Sequence, residues 1–261
     1  LIDVATAMLA IAPLLFVLIP QLKRDASAEG EAKPSIWSDM REGFDYLRGW
    51  PGMMVLLSMA LIFKITSMPA FSLLPLLVRS HFGGNVAQFS LMEALFGVGV
   101  VIGGIVLSIW GGFKRKISTL LTALVLGSIS FLGFGLAPSS AIALAFGSSL
   151  LLGLLIPFID GPFMAIMQST VSPEIQGRVF TLTMSLLNIT APLSLAVAGP
   201  ISDKVGFQMW FLVTGLVSAA MGIAGFFIPA IVNIEENGHA QPETGGRPGV
   251  AQADAVLETT P

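Results

Sequence analysis

Three ionisable side chains stand inside long apolar stretches of this chain and are its first candidates for chemistry: Lys64, Glu93 and Asp160. A charged side chain at the centre of a bilayer costs roughly 2.5–3.5 kcal/mol on insertion scales, so each should face protein or water rather than lipid. Lys64 lies near the middle of its stretch, where it would bind an anionic substrate group, pair with Asp160 or Glu93, or join a proton relay. The alternatives without a functional role are that it snorkels to the surface or forms a fixed ion pair.

Asp160 is followed by Met164 and Gln168, four and eight residues later, which predicts that the three share one helix face. That face would line a cavity, and its soft apolar surface suits bulky and varied substrates. The structural alternative is that the aspartate stabilises a kink between Pro157 and Pro162.

Two further polar residues in apolar helices favour more modest roles. Glu93 lies near the predicted external end of its span, which favours a rim or helix-start charge over a coupling acid. Asn188 is predicted to form a hydrogen bond with a neighbouring helix, a contact worth roughly 0.6–2 kcal/mol. His81 and His239 both lie outside the apolar stretches, so neither is expected to serve as a buried proton relay.

The composition is that of an integral membrane protein. Of the 261 residues, 54% are hydrophobic and 11% are charged, whereas about a quarter are charged in soluble domains; the mean hydropathy is +0.84. The absence of cysteine excludes disulfides, thiolate chemistry and a cysteine metal cage. No zinc or nucleotide motif is present, so we predict no enzyme, cofactor, bound metal or nucleic-acid partner. A channel is disfavoured because the intramembrane charges occur singly, without a filter-like repeat.

The apolar stretches predict seven membrane spans of adequate length, at residues 1–20, 53–78, 89–110, 119–137, 141–168, 179–200 and 209–231. Pro69 and Pro75 are expected to break the second span. The third carries glycines expected to allow close helix packing, namely Gly97, Gly99, Gly103 and Gly104. Because the chain begins at Leu1 with no basic segment, we interpret residues 1–20 as a span of a longer protein rather than a signal peptide.

Three segments outside the spans have distinct compositions. Residues 21–35 are polar and aperiodic, which predicts a surface linker. Residues 36–50 form an amphipathic helix with a tryptophan near each end, which favours a position in the membrane interface; packing against protein is the alternative. Residues 233–261 are acidic and rich in Gly and Pro, so a disordered tail is expected.

The segment from Ser172 to Arg178 is predicted to be a short polar connection between two antiparallel helices at the membrane surface. Ser172-Pro173 should end the first helix, because the residue before a proline avoids helical angles. Glu174 and Arg178 are four residues apart and would form an ion pair.

The distribution of Lys and Arg predicts the orientation. Ten of the 13 Lys and Arg residues fall on one set of alternating loops, and two, Arg79 and Lys204, fall on the other; Lys64 lies within a span. Under the positive-inside rule the linker, the basic turn Lys114–Lys116, the Ser172–Arg178 connection and the tail are cytoplasmic.

A set of motifs carries a family resemblance. It comprises Leu1-Ile2-Asp3 at the start of a span, SIWSDMREGFDYLRGWPG before the next, Gln168, Val171-Ser172-Pro173-Glu174, Gln176 to Phe180, and Gly199-Pro200 with Asp203-Lys204-x-Gly206. In this order and spacing they resemble the carboxyl-terminal half of a major facilitator superfamily transporter, of the bacterial drug-efflux branch. The resemblance covers about residues 1–232.

The resemblance implies an all-α membrane protein with four parts: the last helix of an amino-terminal half at 1–20, a cytoplasmic linker at 21–50, a six-helix bundle at 51–232 and the tail. It implies proton-coupled export of hydrophobic or amphipathic molecules across the cell membrane, with a second transporter half and lipid as partners. A transporter of one specific solute and a non-transporting membrane protein remain alternatives. The loop GGFKRK lacks the aspartate of the family's basic loop, which leaves its latching role open. Gating or structural roles are expected for Lys114, Arg115, Lys116, Glu174, Arg178 and Asp203.

Overall fold

The computed structural model describes residue 41, residues 44–45 and residues 47–236, and in these residues the chain is helical without a strand. The helices are α1 (Pro51–Leu76, continued by a π-helical turn at Leu77–His81), α2 (Val86–Trp110), α3 (Lys116–Leu136), α4 (Ile142–Thr170), α5 (Pro173–Val205), α6 (Gln208–Phe227) and the short α7 (Pro229–Val232).

Six of these helices are long and apolar enough to cross a membrane, which confirms the predicted all-α membrane fold and six of the seven spans. The span at 1–20, the linker at 21–35 and the tail beyond residue 236 lie outside the described residues. Chain order and spans agree with the predicted six-helix bundle.

The prolines of α1 do not break it, contrary to the sequence prediction. Pro51 opens the helix, whereas Pro69 and Pro75 lie inside it. A proline removes one backbone hydrogen bond, and membrane helices tolerate this because neighbouring helices and local π-type adjustments satisfy the freed groups. A π-helical turn from Leu77 to His81 continues the helix after Leu76.

The connection between α4 and α5 is shorter than predicted. Helix α4 ends at Thr170, and α5 begins at Pro173, so Val171 and Ser172 alone join the two. Pro173 occupies the first helical turn, where its missing N–H has no partner to lose and its fixed φ suits the helix. The segment predicted as a polar turn up to Arg178 is therefore mostly the start of α5.

The ends of α2 follow from local sequence. At its start Asn85 accepts a hydrogen bond from the Gln88 backbone (3.0 Å) and Gln88 accepts one from the Asn85 backbone (2.9 Å), which forms a capping box. At its end Gly111 adopts a φ of 75°, a left-handed conformation that glycine reaches without strain.

The helices pack in a defined pattern, with α2 on α4, α3 between α4 and α6, and α1 against α5 and α6. Gly99 and Gly103 of α2 lie directly against the α4 backbone, and Gly153 of α4 lies against the carbonyl of Phe96. Gly97 and Gly104 face open space, so only half of the predicted glycine surface is used. Four-residue spacing keeps Gly99 and Gly103 on one face, from which the other two are rotated away.

The buried side chains form two clusters. The first, which we call the aliphatic cluster, is dominated by Leu, Ile and Met from α1, α3, α4, α5 and α7. The second, the aromatic cluster, contains Phe131, Phe134 and Phe211 and is flanked by further partly buried phenylalanines. The two clusters occupy different levels of the bundle, since α1 contributes Met53 and Leu56 to the first and Leu74 and Leu77 to the second.

Only part of the predicted amphipathic helix is described. Residues 41, 44–45 and 47–48 are helical. Arg41 and Asp45 form an exposed ion pair at 3.8 Å, and Leu47 is fully buried in the aliphatic cluster. The end of this helix packs on protein, while the position of the rest in the membrane interface stays a prediction.

Candidate functional site

A cavity between α1 and α4 contains both Lys64 and Asp160. It has a volume of about 110 Å³, and we call it the Lys64–Asp160 cavity. Its walls are otherwise apolar apart from Ser67, with Met59, Phe63, Met68 and Phe71 among the side chains of α1 that surround the lysine. Helices α3 and α5 close it through Leu120, Leu124 and Leu187.

Lys64 and Asp160 share this cavity without forming a direct ion pair within 4.0 Å. Lys64 is half-buried and Asp160 is exposed, so both charges border the open part of the cavity. Lys64 and Asp160 line the same cavity without the ion pair that the sequence offered as one alternative, and Glu93 does not line this cavity. A separated pair of opposite charges on an apolar wall leaves both groups accessible to a ligand.

Asp160, Met164 and Gln168 do not line one cavity, although their spacing predicted a shared helix face. Met164 packs against the aliphatic cluster, and Gln168 lies at a different surface depression beside Gln176. The carbonyl of Gln168 accepts a hydrogen bond from the Gln176 side chain at 3.2 Å. With 3.6 residues per turn, a residue eight positions along a helix is rotated by about 80° and displaced by about 12 Å, too far to line one small cavity. Ile156, Ile159 and Phe163 line the cavity with Asp160 instead.

Glu93 lines a second, smaller pocket of about 50 Å³, which we call the Glu93 pocket. Five of its eight other lining residues are phenylalanines from α1, α2, α3 and α6, namely Phe71, Phe96, Phe131, Phe134 and Phe211; the remaining three are Leu74, Ser149 and Leu152. The Glu93 side chain is exposed, and neither a hydrogen bond nor an ion pair to another described residue holds it. The interpretation of Glu93 as a rim or helix-start charge stays a prediction.

Phe71 is a wall of both the Lys64–Asp160 cavity and the Glu93 pocket. Its ring makes edge-to-face contacts with Phe96 (6.3 Å between centroids) and Phe131 (6.0 Å). Phe131 in turn contacts Phe63, a wall of the cavity, at 6.2 Å. Edge-to-face pairs of this kind fix the ring orientations. A continuous line of rings thus connects the two sites.

The backbone next to Glu93 is held by α4. Ser149 donates a hydrogen bond to the carbonyl of Met92 at 2.8 Å, between two buried residues. Together with the close contacts of Gly99 and Gly153, this bond fixes how far α2 is shifted along the axis of α4. The position of Glu93 is therefore set by the α2–α4 contact.

Asn188 does not form the predicted interhelical hydrogen bond. Its side chain is exposed, and no described residue bonds to it. The neighbouring Leu187 lines the Lys64–Asp160 cavity instead. Helix α5 packs mainly on α1, and Asn188 lies on the exposed surface of α5.

The basic turn between α2 and α3 is bound by the segment that follows α7. Arg115 forms a 2.6 Å ion pair with Glu236, and the Glu235 carboxylate accepts a 3.5 Å hydrogen bond from the backbone of Ile117 at the start of α3. Lys116 lies 3.5 Å from the Ser169 hydroxyl at the end of α4, and Lys114 is exposed. The chain therefore remains folded through Glu236, past the predicted start of the tail at Asn233.

The remaining predicted gating residues are only partly described. Arg178 is half-buried in α5, while Glu174 and Asp203 lie in the same helix with side chains outside the described part. The predicted Glu174–Arg178 ion pair stays a prediction. Among the residues that the structure describes, no cluster of three His, Asp or Glu side chains that could hold a metal is found.

At the opposite end of the bundle from the basic turn, His81 joins three helix ends. Its Nε2 atom lies 2.8 Å from the carbonyl oxygen of Ala137 and 3.1 Å from the Gln208 side chain. The α1–α2, α3–α4 and α5–α6 loops therefore meet at this end of the bundle. The basic turn between α2 and α3 contacts the end of α4 and the α7 segment at the other end. Successive loops thus lie at opposite ends, which is the arrangement that the count of Lys and Arg assumes.

The sequence analysis missed the phenylalanines that line the two sites. Phe63 and Phe71 lie one residue before and seven residues after Lys64 on α1, and Phe131 and Phe134 share one face of α3. These spacings were a usable signal, but apolar residues at helical spacing indicate core packing just as well. Only the packing of α1 against α3 shows that the rings meet at charged residues.

Comparison with known proteins identifies the family. The family model for the Major Facilitator Superfamily matches residues 1–195 and 55–252. Macrolide efflux protein A of Streptococcus pyogenes is 30% identical over 222 residues, which cover 85% of this chain and 54% of that protein. Macrolide efflux protein A of Enterococcus faecalis is 31% identical over 194 residues (74% and 59%), and the multidrug efflux pump Tap of Mycolicibacterium fortuitum is 25% identical over 142 residues (53% and 33%).

The chain spans about half the length of the first two of these relatives. No solved structure matches. The match to the family model extends over most of the chain and agrees with the six apolar helices of the structure. The chain therefore belongs to the major facilitator superfamily of transporters.

Proposed function

We propose that the complete protein containing this chain is a secondary active transporter that exports hydrophobic or amphipathic small molecules in exchange for protons. Family membership supports transport, and the efflux proteins among the relatives support export. The export direction, the proton coupling and the alternation between inward-open and outward-open states belong to this proposal.

The observation that carries the proposal is the Lys64–Asp160 cavity. Apolar side chains of Leu, Ile, Met and Phe form most of its wall, which suits a hydrophobic substrate, because such sites bind by apolar contact with a few polar groups to fix orientation. Lys64 and Asp160 supply those polar groups.

The cavity is smaller than the roughly 300–1,000 Å³ of pockets that bind drug-sized ligands. In an alternating-access transporter the site lies between two repeats, and this chain contributes one side of it. We infer that the cavity is completed by the other half of the transporter. In this arrangement Asp160, exposed at the cavity margin, faces the substrate path.

The proposal also assigns the orientation: the basic turn, the α4–α5 connection and the residues after α7 are cytoplasmic. The excess of Lys and Arg at that end supports this assignment. A cysteine that replaces the exposed Lys114 of the turn, in the complete gene product with any cysteines outside this sequence replaced, should react with a membrane-impermeant maleimide only after the cells are opened.

The export claim is tested in cells lacking their own drug pumps that express the complete gene product. Accumulation of a labelled macrolide and of a hydrophobic dye is measured for the wild type, Lys64→Ala and Asp160→Asn, at matched protein levels. We expect the wild type to lower accumulation and both variants to lose about 90% of that effect, because a contact with a charged group contributes roughly 1.5–3 kcal/mol, which is about tenfold or more in affinity. Lys204→Ala and Asp45→Asn, which remove exposed charges of the same types outside the cavity, are the controls.

The outcomes separate the alternatives. Unchanged export in both variants would show that Lys64 and Asp160 have only a structural role. No export by the wild type would favour a transporter of one specific solute or a non-transporting protein. Proton coupling is measured separately in proteoliposomes, where substrate addition should move protons; an ion flux that does not saturate and needs no substrate would indicate a channel.

A further inference from the structure

Three polar side chains of the Lys64–Asp160 cavity have no partner within the described residues. Lys64 and Asp160 form neither an ion pair with each other nor a hydrogen bond to another described residue. Ser67 also lines the cavity; it is 2% exposed, and no described residue bonds to its hydroxyl. Buried hydroxyl groups are usually hydrogen-bonded. An ammonium, a carboxylate and a hydroxyl group are therefore all open to a ligand in one small apolar space.

From this arrangement we propose that the cavity binds the charged part of an amphipathic zwitterion, a molecule that carries one anionic and one cationic group beside an apolar body. Lys64 pairs with the anionic group, and Asp160 pairs with the cationic group. The proposal rests on the proposed export function and names a substrate class for it.

The charge balance of the cavity selects this class of ligand. A substrate with only a cationic group would pair with Asp160 and leave Lys64 uncompensated, and a substrate with only an anionic group would do the reverse. An uncharged substrate would take water from both charged groups without replacing its hydrogen bonds, which is unfavourable in apolar surroundings. A zwitterion compensates both charges, so the filled cavity is neutral as a whole.

The positions of the three polar side chains define the orientation of the ligand. Lys64 and Ser67 are three residues apart on α1, which places them on one face of the helix. A carboxylate held by Lys64 can therefore accept a second hydrogen bond from the Ser67 hydroxyl. Asp160 belongs to α4, so the cationic group lies on the α4 side of the cavity. The apolar body lies against side chains such as Phe63 and Phe163.

The cavity lies too deep for the headgroup of a membrane lipid. Lys64 is the fourteenth residue of α1, about 20 Å from the start of this membrane-spanning helix at 1.5 Å per residue. Lipid headgroups lie at the surfaces of a hydrocarbon core of about 30 Å. The ligand is therefore a diffusing molecule rather than a lipid of the bilayer.

A fluorescent series with one common apolar body tests the proposal. Nε-dansyl-lysine is a zwitterion, its methyl ester is a cation, its Nα-acetyl derivative is an anion, and the doubly blocked derivative is uncharged. Binding of each compound to the purified complete gene product is measured by equilibrium dialysis in nanodiscs of phosphatidylglycerol, which contain no zwitterionic lipid, with empty nanodiscs as the background. We expect the wild type to bind the zwitterion about tenfold more tightly than each of the other three compounds, because a hydrogen bond to a charged group contributes a factor of this size.

Removal of either charge should affect only the ligands that carry the matching group. Lys64→Met should weaken binding of the zwitterion and the anion by about tenfold and spare the cation. Asp160→Asn should weaken binding of the zwitterion and the cation by about tenfold and spare the anion. Lys204→Met and Asp45→Asn, which remove exposed charges outside the cavity, should leave all four affinities unchanged.

Two milder variants refine the assignment. Lys64→Arg keeps the positive charge and should retain the preference for the zwitterion. Ser67→Ala removes one neutral donor and should weaken only the compounds with a free carboxylate, by about threefold. All variants are compared at the wild-type elution profile in size-exclusion chromatography, and the wild-type comparison of the four compounds needs no variant.

The proposal is overturned if the wild type binds the zwitterion no more tightly than the singly charged compounds. It is also overturned if Lys64→Met and Asp160→Asn, each eluting as the wild type, keep the preference for the zwitterion, which is the result expected if both residues pair with the other half of the transporter. Export is measured separately from binding. A protein that exports hydrophobic molecules without preferring the zwitterion would contradict this proposal alone, and one that prefers the zwitterion but exports nothing would contradict the proposed function alone.

Discussion

The two buried clusters of the bundle differ in what they place beside an ionisable group. The aliphatic cluster surrounds a cavity with two opposite charges, Lys64 and Asp160, and flexible Leu, Ile and Met side chains. The aromatic cluster surrounds a pocket with one charge, Glu93, and rings held edge-to-face. A flexible apolar wall adapts to varied shapes, whereas fixed rings favour a defined ligand geometry.

Phe71 is the residue common to both sites. A substitution at one site therefore leaves the other site as a reference.

The largest effect is expected from inserting a bulky side chain into the close contact between α2 and α4. Gly153→Leu would place a side chain where the Phe96 backbone lies, and overpacking of this kind costs on the order of 3 kcal/mol. We expect loss of the monodisperse peak when the complete gene product is analysed by size-exclusion chromatography. Gly147→Leu, at a glycine of the same helix that faces open space, should elute as the wild type. Equal behaviour of the two variants would show that the close contact does not hold α2 in place.

A smaller but more specific effect is expected from a double-mutant cycle on transport. Lys64→Met combined with Asp160→Asn should show a coupling free energy of about 1 kcal/mol, because the two residues share a cavity. Lys64→Met combined with Glu93→Gln should be additive within about 0.5 kcal/mol, because these groups line different sites. The measurement is the apparent KM for export of one amphipathic substrate. Equal coupling in the two cycles would mean that the sites are not separate.

Phe71→Leu tests the shared wall. The change keeps most of the apolar volume but removes a ring that lines both sites, and should raise the export KM of a hydrophobic substrate by about threefold through loss of aromatic contact. Phe96 lines the Glu93 pocket but not the Lys64–Asp160 cavity, so Phe96→Leu should raise this KM less. Equal effects of the two variants would show that the Glu93 pocket contributes to substrate binding as much as the cavity does.

The smallest effect is expected at the basic turn. Glu236→Gln removes the ion pair with Arg115, whose side chains are 45% and 60% exposed, and exposed pairs contribute less than about 1 kcal/mol. Thermal stability should fall by a few degrees at most at low salt, and the difference should shrink at high salt. Substrate KM values at both sites should be unchanged. A large loss of export at normal protein level would instead make this contact part of the gating machinery.

Several features of the protein could be predicted from its sequence because they depend on local pattern. Apolar length determined the six spans, and the residue before Pro173 marked the end of α4. The cost of charge in lipid singled out Lys64, Glu93 and Asp160, since an isolated charge in an apolar run is visible without any fold. The motifs from Gln168 to Gly206 pointed to the family that the family model confirms.

The predictions that failed are those that require knowledge of a neighbouring helix. Pro69 and Pro75 lie inside α1, as membrane helices allow where neighbouring helices satisfy the freed groups. Asn188 has no hydrogen-bond partner among the described residues, because its side chain lies on the exposed surface of α5. Gln168 is a different case: the rotation of the helix over eight residues carries it to another surface, which helix geometry alone predicts.

The sequence by itself therefore determined that this protein lies in a membrane, roughly where its six described spans lie and which charges are costly. Only the tertiary structure decided which charges share a site: α1 and α4 bring Lys64 to Asp160, while Ser149 and the α2–α4 glycine contact hold Glu93 among phenylalanines from four helices. The physical reason is that burial cost depends on one residue and its apolar surroundings, whereas a site depends on the rotation and level at which separate helices pack.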